Sequence, residues 1–201
     1  ALNVDDDLDF IAWGPQAEHK PFATSFVDGT RSQGRLYVPE SVWNSAQGTF
    51  VCWAKSNDIG GDYRHLTMQW AKNDASAASR FGLFMMADGK MRFNFGTGIA
   101  GAIVSPISTD DGEWHHYAAT WVNSTKEIHL YVDGVKVASE SVARTISNAG
   151  GRWNGVIPIG HRGYTYNDQW WNGLIDELLI LPYAATDAEI KAWYGMGAPF
   201  Y

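Results

Sequence analysis

Phe81-Gly82-Leu83-Phe84-Met85-Met86-Ala87-Asp88-Gly89-Lys90-Met91-Arg92-Phe93-Asn94-Phe95 decides the fold class of this 201-residue chain. On the first arm Phe81, Leu83 and Met85 alternate with Gly82, Phe84 and Met86. On the second arm Met91, Phe93 and Phe95 share one face, and Lys90, Arg92 and Asn94 share the other. A period of two is that of a half-buried strand. Asp88-Gly89 between the arms predicts a tight hairpin turn with positive φ at both turn residues.

The pattern repeats downstream. Trp114 to Val122 reads as one strand and Glu127 to Val132 as the next, with Ile128, Leu130 and Val132 inward. Asp133-Gly134 then turns the chain into Val135 to Ala138. Further strands are expected at Arg35 to Val38, ending at Pro39, and at Thr49 to Ala54, Val156 to Ile159 and Leu174 to Leu181. Leu178-Leu179-Ile180-Leu181 is apolar on both faces, which predicts a central strand covered from two sides. One helix interrupts the β pattern. Thr186-Asp187-Ala188-Glu189 is a capping box, Ile190, Trp193 and Tyr194 follow at helical spacing, and Gly195 supplies the stop. Many antiparallel strands joined by hairpins argue for a two-sheet sandwich.

Composition agrees. Hydrophobic residues at 45% suffice for a core, while charged residues at 18% lie below the usual quarter. With 21 Gly and 10 Trp, the chain reads as short strands joined by turns. A net charge of −7 opposes binding to nucleic-acid backbones and docking on anionic membranes. No apolar run is long enough to cross a bilayer as a helix. The single Cys52 excludes an intrachain disulfide and any Cys-rich zinc site. The start at Ala1 reads as a processed form or an excised domain. Ala1 to Asp28 is poorly patterned. Its acidic run, Asp5-Asp6-Asp7 with Asp9, lacks the Gly and distal Glu of an EF-hand loop and reads as a solvated segment.

Asp111-Gly112-Glu113-Trp114-His115-His116-Tyr117-Ala118, followed by Leu130-Tyr131-Val132-Asp133-Gly134, resembles the central signature of laminin G-like domains of the concanavalin A-like lectin/glucanase superfamily. Asn172-Gly173-Leu174-Ile175-Asp176-Glu177, with Thr186 to Ile190 after it, is similar to the closing signature. Gly34 to Pro39 and Thr49 to Trp53 match the opening strands. The resemblance implies an all-β, two-sheet antiparallel jelly-roll sandwich with one short C-terminal helix. It would be a single domain over 1–201, with 1–27 an N-terminal extension or edge strand, 28–195 the sandwich and 196–201 a tail. Trp114 is then expected in the core, Asp133-Gly134 as a turn, and Gly173 where strand backbones approach closely.

The superfamily holds lectins, binding modules, adhesion domains and enzymes, so the chemistry must come from residues. Retaining glycosidases need two carboxyls about 5–5.5 Å apart. Laminarinase-like relatives carry these in a Glu-x-Asp-x-x-Glu run, and none of the seven Glu here stands in one. Asp176 and Glu177 are neighbours and point to opposite strand faces. Cys52 sits mid-strand and reads as buried and inert. His115 and His116 project oppositely, and no zinc-protease or serine-hydrolase motif occurs. The resemblance implies a structural Ca²⁺ where N- and C-terminal strands meet, with Asp176 and Asp28 as its ligands.

Sugar binding has the fullest signal, because flat aromatic rings and amide, carboxylate and guanidinium groups match a pyranose's apolar faces and hydroxyls. The segment 161–172 is such a mixture, with Arg162, Tyr164, Tyr166, Asn167, Asp168, Trp170 and Trp171, and with Trp153 just upstream. One of Trp170 and Trp171 is expected to pack inward. A second such stretch is Asn57 to Trp70, with Asp58, Asp62, Tyr63, Arg64 and His65. The expected function is a non-catalytic carbohydrate-binding or recognition module of an extracellular or virion protein. Its partner would be a glycan or polysaccharide, with a homo-oligomer or a multidomain parent protein supplying avidity. The alternatives are a structural assembly or adhesion domain making protein–protein contacts, for example in a phage virion, and a polysaccharide hydrolase or lyase.

Overall fold

The strands run β1 (Leu36–Pro39), β2 (Gln47–Ser56), β3 (Arg64–Trp70), β4 (Ser79–Met85), β5 (Lys90–Thr97), β6 (Ala102–Ser108), β7 (Trp114–Val122), β8 (Glu127–Val132), β9 (Val135–Ser141), β10 (Val156–Ile159) and β11 (Gly173–Leu181), and helix α1 (Asp187–Tyr194) closes the order. This computed structural model describes residues 36–57, 60–70, 79–97, 101–141, 156–162 and 169–198, all within a unit that spans Arg35 to Tyr201. Two antiparallel sheets form, ordered β1-β10-β3-β4-β5-β6 and β11-β2-β7-β8-β9.

Alternation decides which side chains meet between the sheets. Phe81, Leu83 and Met85 of β4 and Met91, Phe93 and Phe95 of β5 face Phe50, Cys52 and Ala54 of β2 and Tyr117, Ala119 and Trp121 of β7 in one continuous core. Fully burying each of the larger side chains contributes roughly 1.5–3 kcal/mol. Trp121 anchors one end, stacked on Trp43 at 4.4 Å, with its Nε1–H donating to the Asn44 carbonyl. Cys52 lies wholly buried here, and burial pushes its thiol pKa up, so it is inert as expected.

The two Asp-Gly turns differ. Asp133 and Gly134 have φ of 50° and 73°, the expected two-residue turn with both residues left-handed. At Asp88-Gly89 only Gly89 is left-handed, at φ 76°. Ala87 lengthens that loop to three residues, closed by Met86 N–H to the Lys90 carbonyl and Gly89 N–H to the Met86 carbonyl. The hairpin is as expected, but its turn is the longer kind.

Three other expectations change. β11 is an edge strand, not a central one, and Leu174 and Leu179 are exposed on it. A bulge between Asp176 and Leu179, with Glu177 at φ 49°, breaks the alternation and gives the run its two-sided apolar look. The capping box of α1 is present in full, but Gly195 is right-handed and the left-handed residue is Gly197. Trp114 is half-buried and stands outside the core. Gly173 does lie where a side chain would collide with the Lys55 carbonyl oxygen.

Candidate functional site

The face of the six-stranded sheet turned away from the core carries a chain of rings. Period-two alternation that sends Leu83 inward sends Phe84 outward, where it joins Met68, Met86 and Val156 in a small separate cluster. His65 of β3 stacks on Phe84 at 4.7 Å, Tyr63 meets it edge-on at 5.9 Å, and the Arg92 guanidinium lies 5.8 Å from its ring centre. Arg92 Nε–H also donates to the Asn94 side-chain oxygen at 2.8 Å, which fixes the guanidinium plane. Backbone pairing extends this row, because His65 bridges to Trp170 and its N–H donates to the Gln169 carbonyl. Trp170 stacks on His161 at 4.8 Å, and His161 meets Tyr37 of β1 edge-on at 5.1 Å. The row thus crosses from β5 through the half-buried Trp170 and buried His161 to Tyr37 of β1, and the half-buried Arg162 follows His161 in the chain.

Beneath it, one buried ion pair pins the loop before β3. Arg64 donates from both terminal nitrogens to Asp110, at 2.7 and 2.8 Å, and also reaches the Ser56 hydroxyl. Both side chains are only 5% exposed. Burial alone would raise the Asp110 pKa. The Arg64 bonds and the Gly60 N–H outweigh it and hold the carboxyl below its usual range.

The expected binding residues fall into three groups. Trp170 lies within the ring row, and Arg162 is half-buried next to His161 in the chain. Trp171 packs inward: it is 7% exposed, belongs to the core, and donates from Nε1 to the Lys55 and Leu174 carbonyls. Trp153, Tyr164, Tyr166, Asn167 and Asp168 lie outside the described residues. In the stretch 57–70, Arg64 is committed to its ion pair and His65 is buried, whereas Asp62 and Tyr63 are exposed. Asp58 and the side chain of Trp70 lie outside the described residues. That stretch was singled out for its composition alone, and Arg64–Trp70 of it forms β3. Tyr37, Phe84 and Arg92 were not singled out from sequence, whereas His161 opens the stretch 161–172 that was. The outward positions of the 81–95 hairpin carried the only signal for Phe84 and Arg92.

Of the two expected calcium ligands, Asp28 lies outside the described residues. Asp176 accepts the Glu177 N–H at 2.7 Å, and no group of three or more His, Cys, Asp or Glu able to hold a metal occurs among the described residues.

The opposite face of the sandwich holds a second titratable group. His115 Nδ1 lies 2.8 Å from Asp133, and its Nε2 lies 3.1 Å from Asp111. The Asp133 bond, against the opposing effect of burial, holds the His115 pKa above its usual range. Burial pushes both carboxyls up, and their bonds to His115 and to backbone N–H groups bring both below the usual range. An imidazole therefore sits between two ionised carboxylates. Neither carboxyl carries a proton to give to a leaving group near neutral pH, which glycoside hydrolysis requires.

Two antiparallel sheets packed face to face, with a capped helix on one outer face, define a lectin-type sandwich. The chain belongs to the Laminin_G_3 family of the concanavalin A-like lectin/glucanases superfamily, whose model matches residues 28–191. No curated protein sequence matches it. Among solved structures it is similar to the Limulus polyphemus heptameric SAP-like pentraxin, at 17% identity and TM-score 0.55, over 73% of this chain and 69% of that one. It is also similar to the CBM40 of Ruminococcus gnavus IT-sialidase bound to α2,3-sialyllactose, at 16% identity and TM-score 0.61, over 77% of this chain and 86% of that one. A leech intramolecular trans-sialidase shares 14% identity at TM-score 0.61, over 80% of this chain but only 25% of the enzyme. At these identities the likeness is one of fold.

Proposed function

We propose that the protein is a non-catalytic carbohydrate-binding module that works outside the cell or on a virion surface. Its glycan contact would centre on Arg162 and Trp170. The observation that carries this reading is the stack of half-buried Trp170 on buried His161, with Tyr37 behind it. A ring already held by stacking loses little freedom when it meets a sugar. Trp171 serves as the anchor that orients its neighbour, and the sequence offers Trp153, Tyr164, Tyr166, Asn167 and Asp168 as further contacts. The guanidinium of Arg162 suits the carboxylate of an acidic sugar, and a module of the same fold is described as bound to sialyllactose. Calcium enters this reading only as a structural ion on Asp28 and Asp176. Asp176 supplies one carboxylate, whereas Ca²⁺ takes six to eight oxygens, so backbone carbonyls would have to complete the shell.

A glycan array followed by calorimetry tests the reading. Millimolar or tighter binding that Trp170→Ala abolishes supports it. No binding to any glycan, or binding indifferent to Trp170→Ala and Arg162→Ala, sinks it. A second reading, an assembly or adhesion domain, is favoured by the apolar edge of β11, where Leu174 and Leu179 are exposed. Light scattering separates the two, because a stable oligomer lost in Leu174→Lys/Leu179→Lys would favour assembly.

A further inference from the structure

Inward-facing Tyr117, Ala119 and Trp121 leave Trp114, His116 and Ala118 on the outer face of the five-stranded sheet. Helix α1 covers the centre of that face, with Ile190 packed against Val51, Ala118 and Tyr131, and it ends at Tyr194. Past the helix end an open cleft of about 370 Å³ remains, bordered by the side chains of Trp114, Tyr194, His115 and Asp133 and by Gly197 and Ala198. Its size falls in the range of small-molecule sites. Among the described residues no arginine or lysine borders it, and Lys55, the cross-strand partner of Trp114, is not one of its lining residues.

The border combines ring surface with a fixed carboxylate. Trp114 is half-buried and Tyr194 is 38% exposed, so both keep accessible surface. Tyr194 is braced from two sides. The buried Trp53 stacks behind it at 5.6 Å, and a side chain at Gly134 would press on its ring. Asp133 cannot swing away, because its Oδ1 accepts the His116 N–H at 3.0 Å and its Oδ2 lies 2.8 Å from His115. Its side chain is still 32% exposed. His115 also bonds Asp111, so two carboxylates share one imidazole and the group is net negative even when His115 is protonated. Aromatic faces are themselves negative. A border of this kind repels anions and attracts cations.

We infer that this cleft binds a methylated ammonium head group at Trp114, Tyr194 and Asp133, apart from the Trp170 surface. The ring surfaces take the methyl groups, and the carboxylate faces the charge. A primary ammonium must satisfy every N–H, and the Asp133 oxygens are each already engaged once. A methylated ammonium needs no hydrogen bond, so the same border suits it better. A neutral group of equal size gains the ring contacts but not the charge.

The test titrates the whole chain with tetramethylammonium chloride at constant ionic strength, and separately with tert-butanol, a neutral group of similar size. Nuclear magnetic resonance follows the Trp114 side-chain signals, assigned by their loss in Trp114→Phe. The expected result is a saturable, millimolar shift of those signals with tetramethylammonium, with tert-butanol binding about fivefold more weakly or not at all. Tyr194→Leu keeps apolar bulk but removes the ring, and should weaken tetramethylammonium about twofold to fivefold. Asp133→Asn, which removes the charge and keeps an acceptor for the His116 N–H, should weaken it at least as much, while Trp170→Ala leaves it unchanged. Choline and the methylamide of N-acetyl-trimethyl-lysine extend the titration. Tighter binding of either than of tetramethylammonium supports the site and tells a small-molecule carrier from a peptide one. Unmoved Trp114 signals, tert-butanol binding as tightly as tetramethylammonium, or binding lost in Trp170→Ala but kept in Tyr194→Leu overturns the site. None of these results touches 3′-sialyllactose binding through Trp170, so the proposed function stands or falls separately. Should Tyr194→Leu fail to fold, the two probes on the wild-type protein decide alone.

Discussion

The two outer faces of the sandwich are built from the same kinds of residue and differ in what covers and charges them. Each pairs tryptophans and histidines across neighbouring strands. On the six-stranded sheet the rings run in a row from Phe84 through His65, Trp170 and His161 to Tyr37, with guanidinium groups at Arg92 and Arg162. On the five-stranded sheet an amphipathic helix buries the centre of the face, and the rings left over surround an Asp-His-Asp group. The lesson is that a period-two scaffold presents outward positions without specifying their use. A covering helix turns one face into a second small core, and the ring surfaces left on the two faces sit beside charges of opposite sign.

The sharpest break in that comparison is between adjacent residues. Trp171→Ala removes a core side chain and should cost about 3–5 kcal/mol in urea unfolding, whereas Trp170→Ala should cost less than about 1.5 kcal/mol and act on binding instead. Equal costs would mean that Trp170 is a core residue and the ring row is structural. Arg64→Ala should cost roughly 3–5 kcal/mol by leaving Asp110 buried and unpaired. A loss near zero would show that the loop before β3 is not pinned there.

Acid and alkali should weaken the second face in opposite ways. His116 is buried and its pKa is pushed down to about 4 from an ordinary 6.5. The unfolded chain therefore binds the extra proton, and stability falls as pH drops from 6.5 through about 4. His115 is raised above 6.5, so its contribution is complete below 6.5 and is lost as pH rises through its folded value. Asp110 and Asp133, held below 3.8, add their own loss only when pH falls below that value. His116→Phe should flatten the limb between 6.5 and 4, and His115→Gln the limb above 6.5. A profile unchanged in both variants would contradict the assigned pairings. The smallest effect expected is at the helix. Thr186→Ala removes the cap and should cost about 1 kcal/mol, with the β-sheet signal of the six-stranded face unchanged.

Much of the fold was legible because alternation and Asp-Gly turns are local. β2, β4, β5, β7, β8, β10 and α1 emerge where the residues place them, within a residue or two at their ends. Two strands were not legible. β3 opens Arg64-His65, and a register shift between His65 and Thr67 breaks its period. β6 is an edge strand that contains Pro106 and shows three exposed residues at its end. The site was less legible still. The partners of His115 lie 4 and 18 residues away, and Arg64 meets Asp110 across 46 residues. Such separations carry no periodic signal. Trp170 and Trp171 look alike in sequence, and only the backbone bridge to His65 and the bonds from Trp171 to Lys55 and Leu174 distinguish them.

The central claim is that the Trp170 ring on this sandwich binds sugar, and calorimetric titration of 3′-sialyllactose into wild type and Trp170→Ala tests it most directly. The account expects wild type to bind and Trp170→Ala to lose the binding. Trp170→Ala binding as wild type does, or no heat with the wild-type protein, would contradict it.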